Sequence, residues 1–194
     1  PSTTRFRSMG PEAGSIFRTR PGMSGDAGAI AKGYMADRIC DFLQAQAVDH
    51  ALINLGGNIR VISPPGAEGW SVGLQQPFAG PESLLGSIRL SQGSVVTSGV
   101  YERYFVHQGH HYHHILDPRS GYPLDNDLLS VTVISPHSID GEIYSTQLYG
   151  MGLEKGCEWL AAHAGAEGIE AIFVTRDREV IIPSQRQFCF RPAA

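Results

Sequence analysis

Between residues 51 and 135 the chain carries a succession of short runs of β-branched, aromatic and apolar residues. Most are closed by Gly, Pro, Asn or Ser. The runs fall at 51–54, 59–62, 70–74, 87–90, 94–97, 101–106, 111–115 and 128–135. The four runs from 87 to 115, with turn residues between them, suggest an antiparallel meander. The Gly56-Gly57 pair between two such runs is a hairpin signal that needs no ligand to explain it. A closing hairpin is expected over 169–175 and 179–182.

Three stretches repeat at helical spacing instead. The first opens at Asp26, which stands where an N-cap belongs, and runs through an apolar stripe of Ala36, Ile39, Cys40, Leu43 and Ala47. The second covers 138–150, with Ile139, Ile143, Gln147 and Gly150 on one side and Tyr144, Leu148 and Met151 on another. The third covers 153–164, striped by Leu153, Cys157, Leu160 and Ala161. The fold class is therefore α+β: mainly antiparallel sheet with a few packed helices. Residues 1–25 read as a loosely ordered lead-in, with Ile16-Phe17 its one strand candidate, and 26–194 as the folded domain.

Charge and composition remove several functions. A net charge of -4 offers no basic stripe to neutralise phosphates, so no nucleic-acid partner is expected. No apolar run is long enough to span a bilayer. Cys40, Cys157 and Cys189 are widely spaced and odd in number, which favours free thiols in the cytoplasm over a disulfide frame. A leader ahead of Pro1 would instead place the protein outside the cytoplasm on a membrane anchor.

Four groups of residues could carry chemistry. Asp26-Ala-Gly-Ala-Ile-Ala-Lys-Gly-Tyr34 opens a helix in small residues, leaving backbone N–H groups and the positive end of the helix dipole open to an anion. Ordinary helix packing explains the same residues. Glu142 and Thr146, four apart on one helix face, could ligate a hard cation such as Mg²⁺, with Asp140 a further ligand or the N-cap. The alternative is an exposed Glu and a Thr bonded to its own helix backbone. His114 precedes the turn Asp117-Pro-Arg-Ser-Gly121, which is either a structural bend or a device holding imidazole, carboxylate and guanidinium together. His107, His110, His111 and His113 lack metal-ligand spacing, and most are expected on the surface of a hairpin.

In this order, the segments resemble the ApbE-type flavin transferase family. The resemblance rests on Asp26 to Tyr34 with Asp37, on Asn54-Leu-Gly-Gly-Asn58, and on Thr97-Ser-Gly99 with Tyr101. It continues through His114-Ile-Leu-Asp-Pro-Arg-Ser-Gly121, Ser130-Val-Thr-Val133 and Glu142 to Thr146 before Gly150-Met-Gly152. It implies an ApbE-like (T-fold-like) architecture. It also implies an enzyme that cleaves FAD with Mg²⁺ and attaches FMN through a phosphoester to a Thr or Ser of an acceptor flavoprotein, releasing AMP. A Mg²⁺-dependent FAD pyrophosphatase and a non-catalytic flavin-binding domain are the alternatives.

Carried over, the resemblance gives Asp26, Lys32, Ser98, Leu116 and Asp117 to FAD. The Ala29 carbonyl, Glu142 and Thr146 go to Mg²⁺. His114 is either the general base on the acceptor hydroxyl or a hydrogen-bonded structural histidine. Glu142 stands where the family typically has Asp, and Val100 where an Asp often follows Ser-Gly. Members also carry a substantial segment ahead of the Asp26 motif, so either a preceding segment, a partner chain or a second copy completes the site, or FAD binding is impaired.

Overall fold

The computed structural model describes residues 6–8, 16–18, 21–22, 25–80, 82–184, 186 and 188–193. In chain order the elements are β1 (Phe6–Ser8), β2 (Ile16–Arg18), α1 (Gly28–Ala45), β3 (Ala51–Leu55), β4 (Asn58–Ile62), β5 (Trp70–Gln75), β6 (Leu84–Leu90) and β7 (Gly93–Gly99). They continue with β8 (Tyr104–His107), β9 (His110–His113), β10 (Leu128–Ser135), α2 (Ser138–Met151), α3 (Leu153–Glu167), β11 (Glu170–Thr175), β12 (Val180–Ile181) and β13 (Cys189–Pro192). Within residues 1–25, β1 pairs antiparallel with β2, which contains the expected Ile16-Phe17 strand. Apart from 21–22 and 25, the rest of that lead-in lies outside the described residues.

The main sheet has six strands in the order β12-β11-β10-β7-β4-β3, and every pairing in it is antiparallel. It is a meander in sequence order, but with excursions. β5 and β6 leave to form a second sheet with β13, and β8 and β9 leave as a separate hairpin. The meander expected over 87–115 is corrected here: β6, β7 and the β8–β9 hairpin lie in three separate sheets, because spacing shows that strands turn back, not which sheet receives them. The β3–β4 hairpin turns through Gly56 and Gly57, whose φ angles of 59° and 88° suit glycine.

The pleat of the main sheet separates two cores. On β10 and β11, Val131, Val133, Ala171 and Phe173 face Leu148, Tyr149 and Leu160 of the helices. Ile134 and Ile172 point the other way, onto Val72, Leu74, Ile88 and Leu90 of the second sheet. A third cluster, Ala36 and Cys40 with Ile53 and Ile62, seats α1 on β3 and β4. The molecule is thus layered as helices, main sheet and second sheet. Among the described residues no helix is long and apolar enough to cross a membrane.

Both site-bearing helices differ from their expected faces. On α1 the buried residues are Gly33, Ala36, Asp37 and Cys40, whereas Ile39 is exposed and Ala47 lies beyond the helix end. On α2 the buried face is Ser138, Gly141, Glu142, Ser145, Leu148 and Tyr149, and Ile143 is exposed. The reason is close approach. A Cβ on Gly33 would lie 2.6 Å from the Ser138 carbonyl oxygen, and one on Gly141 would lie 2.5 Å from the Val96 side chain. Where two helices and a strand pack this closely, small and polar residues take the inner face and bulkier ones are displaced outward.

Candidate active site

α1 and α2 cross beside β4 and β7, and the seam between them holds the buried polar groups. Asp37, on the buried face of α1, reaches over the N-terminus of α2. Its Oδ1 accepts the Ser138 N–H at 2.8 Å and its Oδ2 the Ile139 N–H at 3.0 Å. It therefore caps a helix that carries no side-chain cap of its own, and its charge complements that helix's dipole. Arg60 of β4 stands 3.3 Å from the same carboxylate. Its Nε is buried without a well-aligned hydrogen bond, so the pair is held by charge rather than by directional bonding.

Deeper in the seam, Ser138 Oγ donates to Asn58 Oδ1 at 2.5 Å, and Asn58 Nδ2 donates to Glu142 Oε1 at 2.8 Å. Lys32 Nζ, one turn into α1, lies 3.5 Å from the same Oε1. One turn along α2, the Ser98 hydroxyl at the end of β7 lies 2.9 Å from Ser145 Oγ and 3.0 Å from Thr146 Oγ1. Lys32, Ser98, Glu142 and Thr146 thus meet at one place. Thr146 bonds across to β7, so the alternative of a Thr bonded to its own helix backbone does not describe it.

The other expected site residues are placed differently. Asp26 is not the N-cap of α1; Ala27 is, and the Asp26 carboxylate accepts the Gly28 N–H at 2.5 Å. Ala29 follows in the first turn, exposed. Asp140 is likewise no cap, because His137 holds that position. Asp140 is half-buried, and loss of water raises its carboxyl against the pull of His137.

His114, Leu116 and Asp117 form a second group, on the loop after β9. His114 Nδ1 lies 3.3 Å from the Arg103 carbonyl oxygen, and the imidazole is exposed. Leu116 is half exposed and bridges to Pro123. Asp117 accepts the Arg119 N–H at 2.9 Å and its guanidinium Nε at 3.2 Å. These contacts, the backbone one first, hold its carboxyl below the usual range. Carboxylate and guanidinium do meet in this turn, but the imidazole goes elsewhere.

Sequence reading attached no role to Glu102. Glu102 sits in the turn between β7 and β8. Although the residue as a whole is exposed, loss of water around its carboxyl raises it, while Lys32 and then His114 pull it back. Its charge is felt on both sides. Asp37 and Asn58 belonged to quoted motifs with no role attached, and Arg60, Ser138 and Ser145 were not singled out. A signal for Asp37 was present: it is an acid lying between Ala36 and Cys40 on an otherwise apolar stripe.

Of the histidines, His107, His110 and His111 are exposed on the β8–β9 hairpin, and His113 is buried. Ile115 N–H donates to His113 Nδ1 at 3.3 Å, which leaves the ring proton on Nε2, facing the Leu124 carbonyl oxygen at 3.1 Å. Burial lowers its basicity, and the Leu124 carbonyl offsets that in part. Among the described residues no three His, Cys, Asp or Glu side chains converge as a metal site. An open cleft of about 930 Å³, walled by Tyr104, His111, Tyr122, Leu124 and Arg176, contains none of the residues expected to act.

Known proteins share this fold. The family model described as the ApbE family matches residues 3–173. A relative named FAD:protein FMN transferase, from Klebsiella pneumoniae (strain 342), is 54% identical over 92% of this chain and 54% of its own. Its namesake from Treponema pallidum (strain Nichols) is 38% identical over 86% of this chain and 48% of its own. Among solved structures, the ApbE protein of Thermotoga maritima superposes with a TM-score of 0.73 at 32% identity, over 86% of this chain and 53% of that one. The chain spans about half the length of the curated relatives it matches.

Proposed function

The chain belongs to the ApbE family, and from that premise we propose that it performs Mg²⁺-dependent transfer of FMN from FAD to a Thr or Ser hydroxyl of an acceptor protein. It would do so alone or as part of a longer protein. The observation that carries this reading is the meeting of Lys32, Ser98, Glu142 and Thr146 where the entrance of α1 crosses α2 and the end of β7. A mixed set of oxygen donors suits a hard cation, and Glu142, Thr146 and the Ala29 carbonyl are the groups that would hold it. Bound there, Mg²⁺ would neutralise charge on the diphosphate of FAD.

The chain's own residues do the rest. Lys32 adds positive charge beside the phosphates, Asp26 and Ser98 contact FAD, and Leu116 and Asp117 line the flavin. His114 accepts the acceptor hydroxyl proton as that oxygen bonds to the FMN phosphorus; the pyrophosphate bond breaks and AMP leaves.

One incubation tests the reading: the chain with FAD, Mg²⁺ and an acceptor protein. Covalent fluorescence on the acceptor supports transfer, and its loss in His114→Ala supports the assigned base. Free FMN plus AMP would make the chain a pyrophosphatase. FAD bound but intact would make it a binding domain.

A further inference from the structure

We infer that Asn58 and Ser138 are positioning residues that leave Glu142 Oε2 as the single oxygen presented to the metal. The inference rests on the reading of Glu142 as a metal ligand. Glutamate has one more rotatable bond than aspartate, so a Glu in this position must be restrained if it is to present a fixed ligand. Two contacts supply the restraint, and both fall on the same atom: Asn58 Nδ2 at 2.8 Å and Lys32 Nζ at 3.5 Å from Oε1. Among the described residues nothing partners Oε2.

The orientation of Asn58 is itself determined by chemistry. A carboxylate only accepts, so the amide nitrogen must face Glu142, and the amide oxygen then receives the Ser138 hydroxyl. Ser138 is held in turn by the Asp37 carboxylate on its N–H, and Asp37 by Arg60. Asn58 and Ser138 are both fully buried, so water cannot substitute for either bond. The relay thus runs from Arg60 through Asp37, Ser138 and Asn58 to one oxygen of Glu142. Residues that hold a metal ligand in this way typically govern affinity about 10- to 100-fold.

The test measures Mn²⁺ binding to the full chain by the electron paramagnetic resonance signal of the free ion, alongside thermal unfolding. Asn58→Leu and Ser138→Ala should each weaken Mn²⁺ binding by about tenfold or more. Thr132→Val removes a comparable hydroxyl pair, Thr97 with Thr132 at 2.8 Å, that does not touch Glu142. It should lower the unfolding midpoint and leave Mn²⁺ affinity within about twofold of wild type. If Asn58→Leu fails to fold, Ser138→Ala decides. Affinity within about twofold of wild type in the folded Asn58 and Ser138 variants, with Glu142→Gln abolishing binding, overturns the inference and leaves the metal site standing. Equal affinity in wild type and Glu142→Gln overturns the metal assignment itself.

Discussion

The seam between α1 and α2 and the segment from β8 to the 114–123 loop are both rich in charged and polar residues, yet they are built on opposite terms. In the seam the groups are buried, and their partners lie 80 to 102 residues away: Ser138 with Asn58, Glu142 with Asn58, Asp37 with Ser138 and Ile139. In the hairpin and loop the partners are close in sequence and mostly exposed: Arg119 with Asp117 two residues off, His114 with Arg103 eleven off. Phe105 stacks on Tyr112 in the open. Identical chemical groups therefore carry different energetic weight. A polar pair shielded from water is costly to break, whereas one that water can replace is not.

Asp37→Ala is the hardest blow to this contrast. It uncaps α2 and leaves Arg60 buried beside no counter-charge, so chemical unfolding should show a loss of about 3 kcal/mol or more. Gly33→Ala should come next, at about 2 kcal/mol, because the new methyl meets the backbone of α2, which cannot step aside. His113 tests whether burial or position in the chain makes the difference, since it lies in the exposed region but is itself buried. Its folded basicity is lowered, so its contribution is complete above the ordinary histidine value near about 6.5 and is lost as pH falls through its depressed folded value. Thermal midpoints measured downward from neutral pH should fall more steeply for wild type than for His113→Gln. Phe105→Ser, on the open face of the hairpin, should cost under about 1 kcal/mol despite breaking an aromatic stack. A large loss there would show that the hairpin is covered by something and would undo the contrast.

The same distinction explains what could be read from the residues alone. Hairpins, turns and helix extents depend on neighbours in the chain, and Gly56-Gly57 or Asp117 to Gly121 announced themselves. The pairing of Glu142 with Thr146 on one face followed from helix periodicity. Helix faces were misread because apolar spacing was taken to mark the inside. Here Gly33, Gly141 and Ser145 mark it instead, since close packing selects small residues. The relay through Asp37, Asn58 and Ser138 was hidden because no local pattern joins residues that far apart. The departure of β5 and β6 to a second sheet was hidden for the same reason. The ApbE-type resemblance named the segments but not what Asp37 and Asn58 do.

The cap that Asp37 places on α2 also bears on the order in which the molecule is made. It closes a loop of 101 residues, and the entropy of that closure is recovered only when α1 docks. The β3–β4 and β8–β9 hairpins close over a few residues and can form early. Lys32 and Glu142 therefore come together only when two distant parts of the chain meet. On a ribosome, residue 138 must have emerged before the site can exist at all.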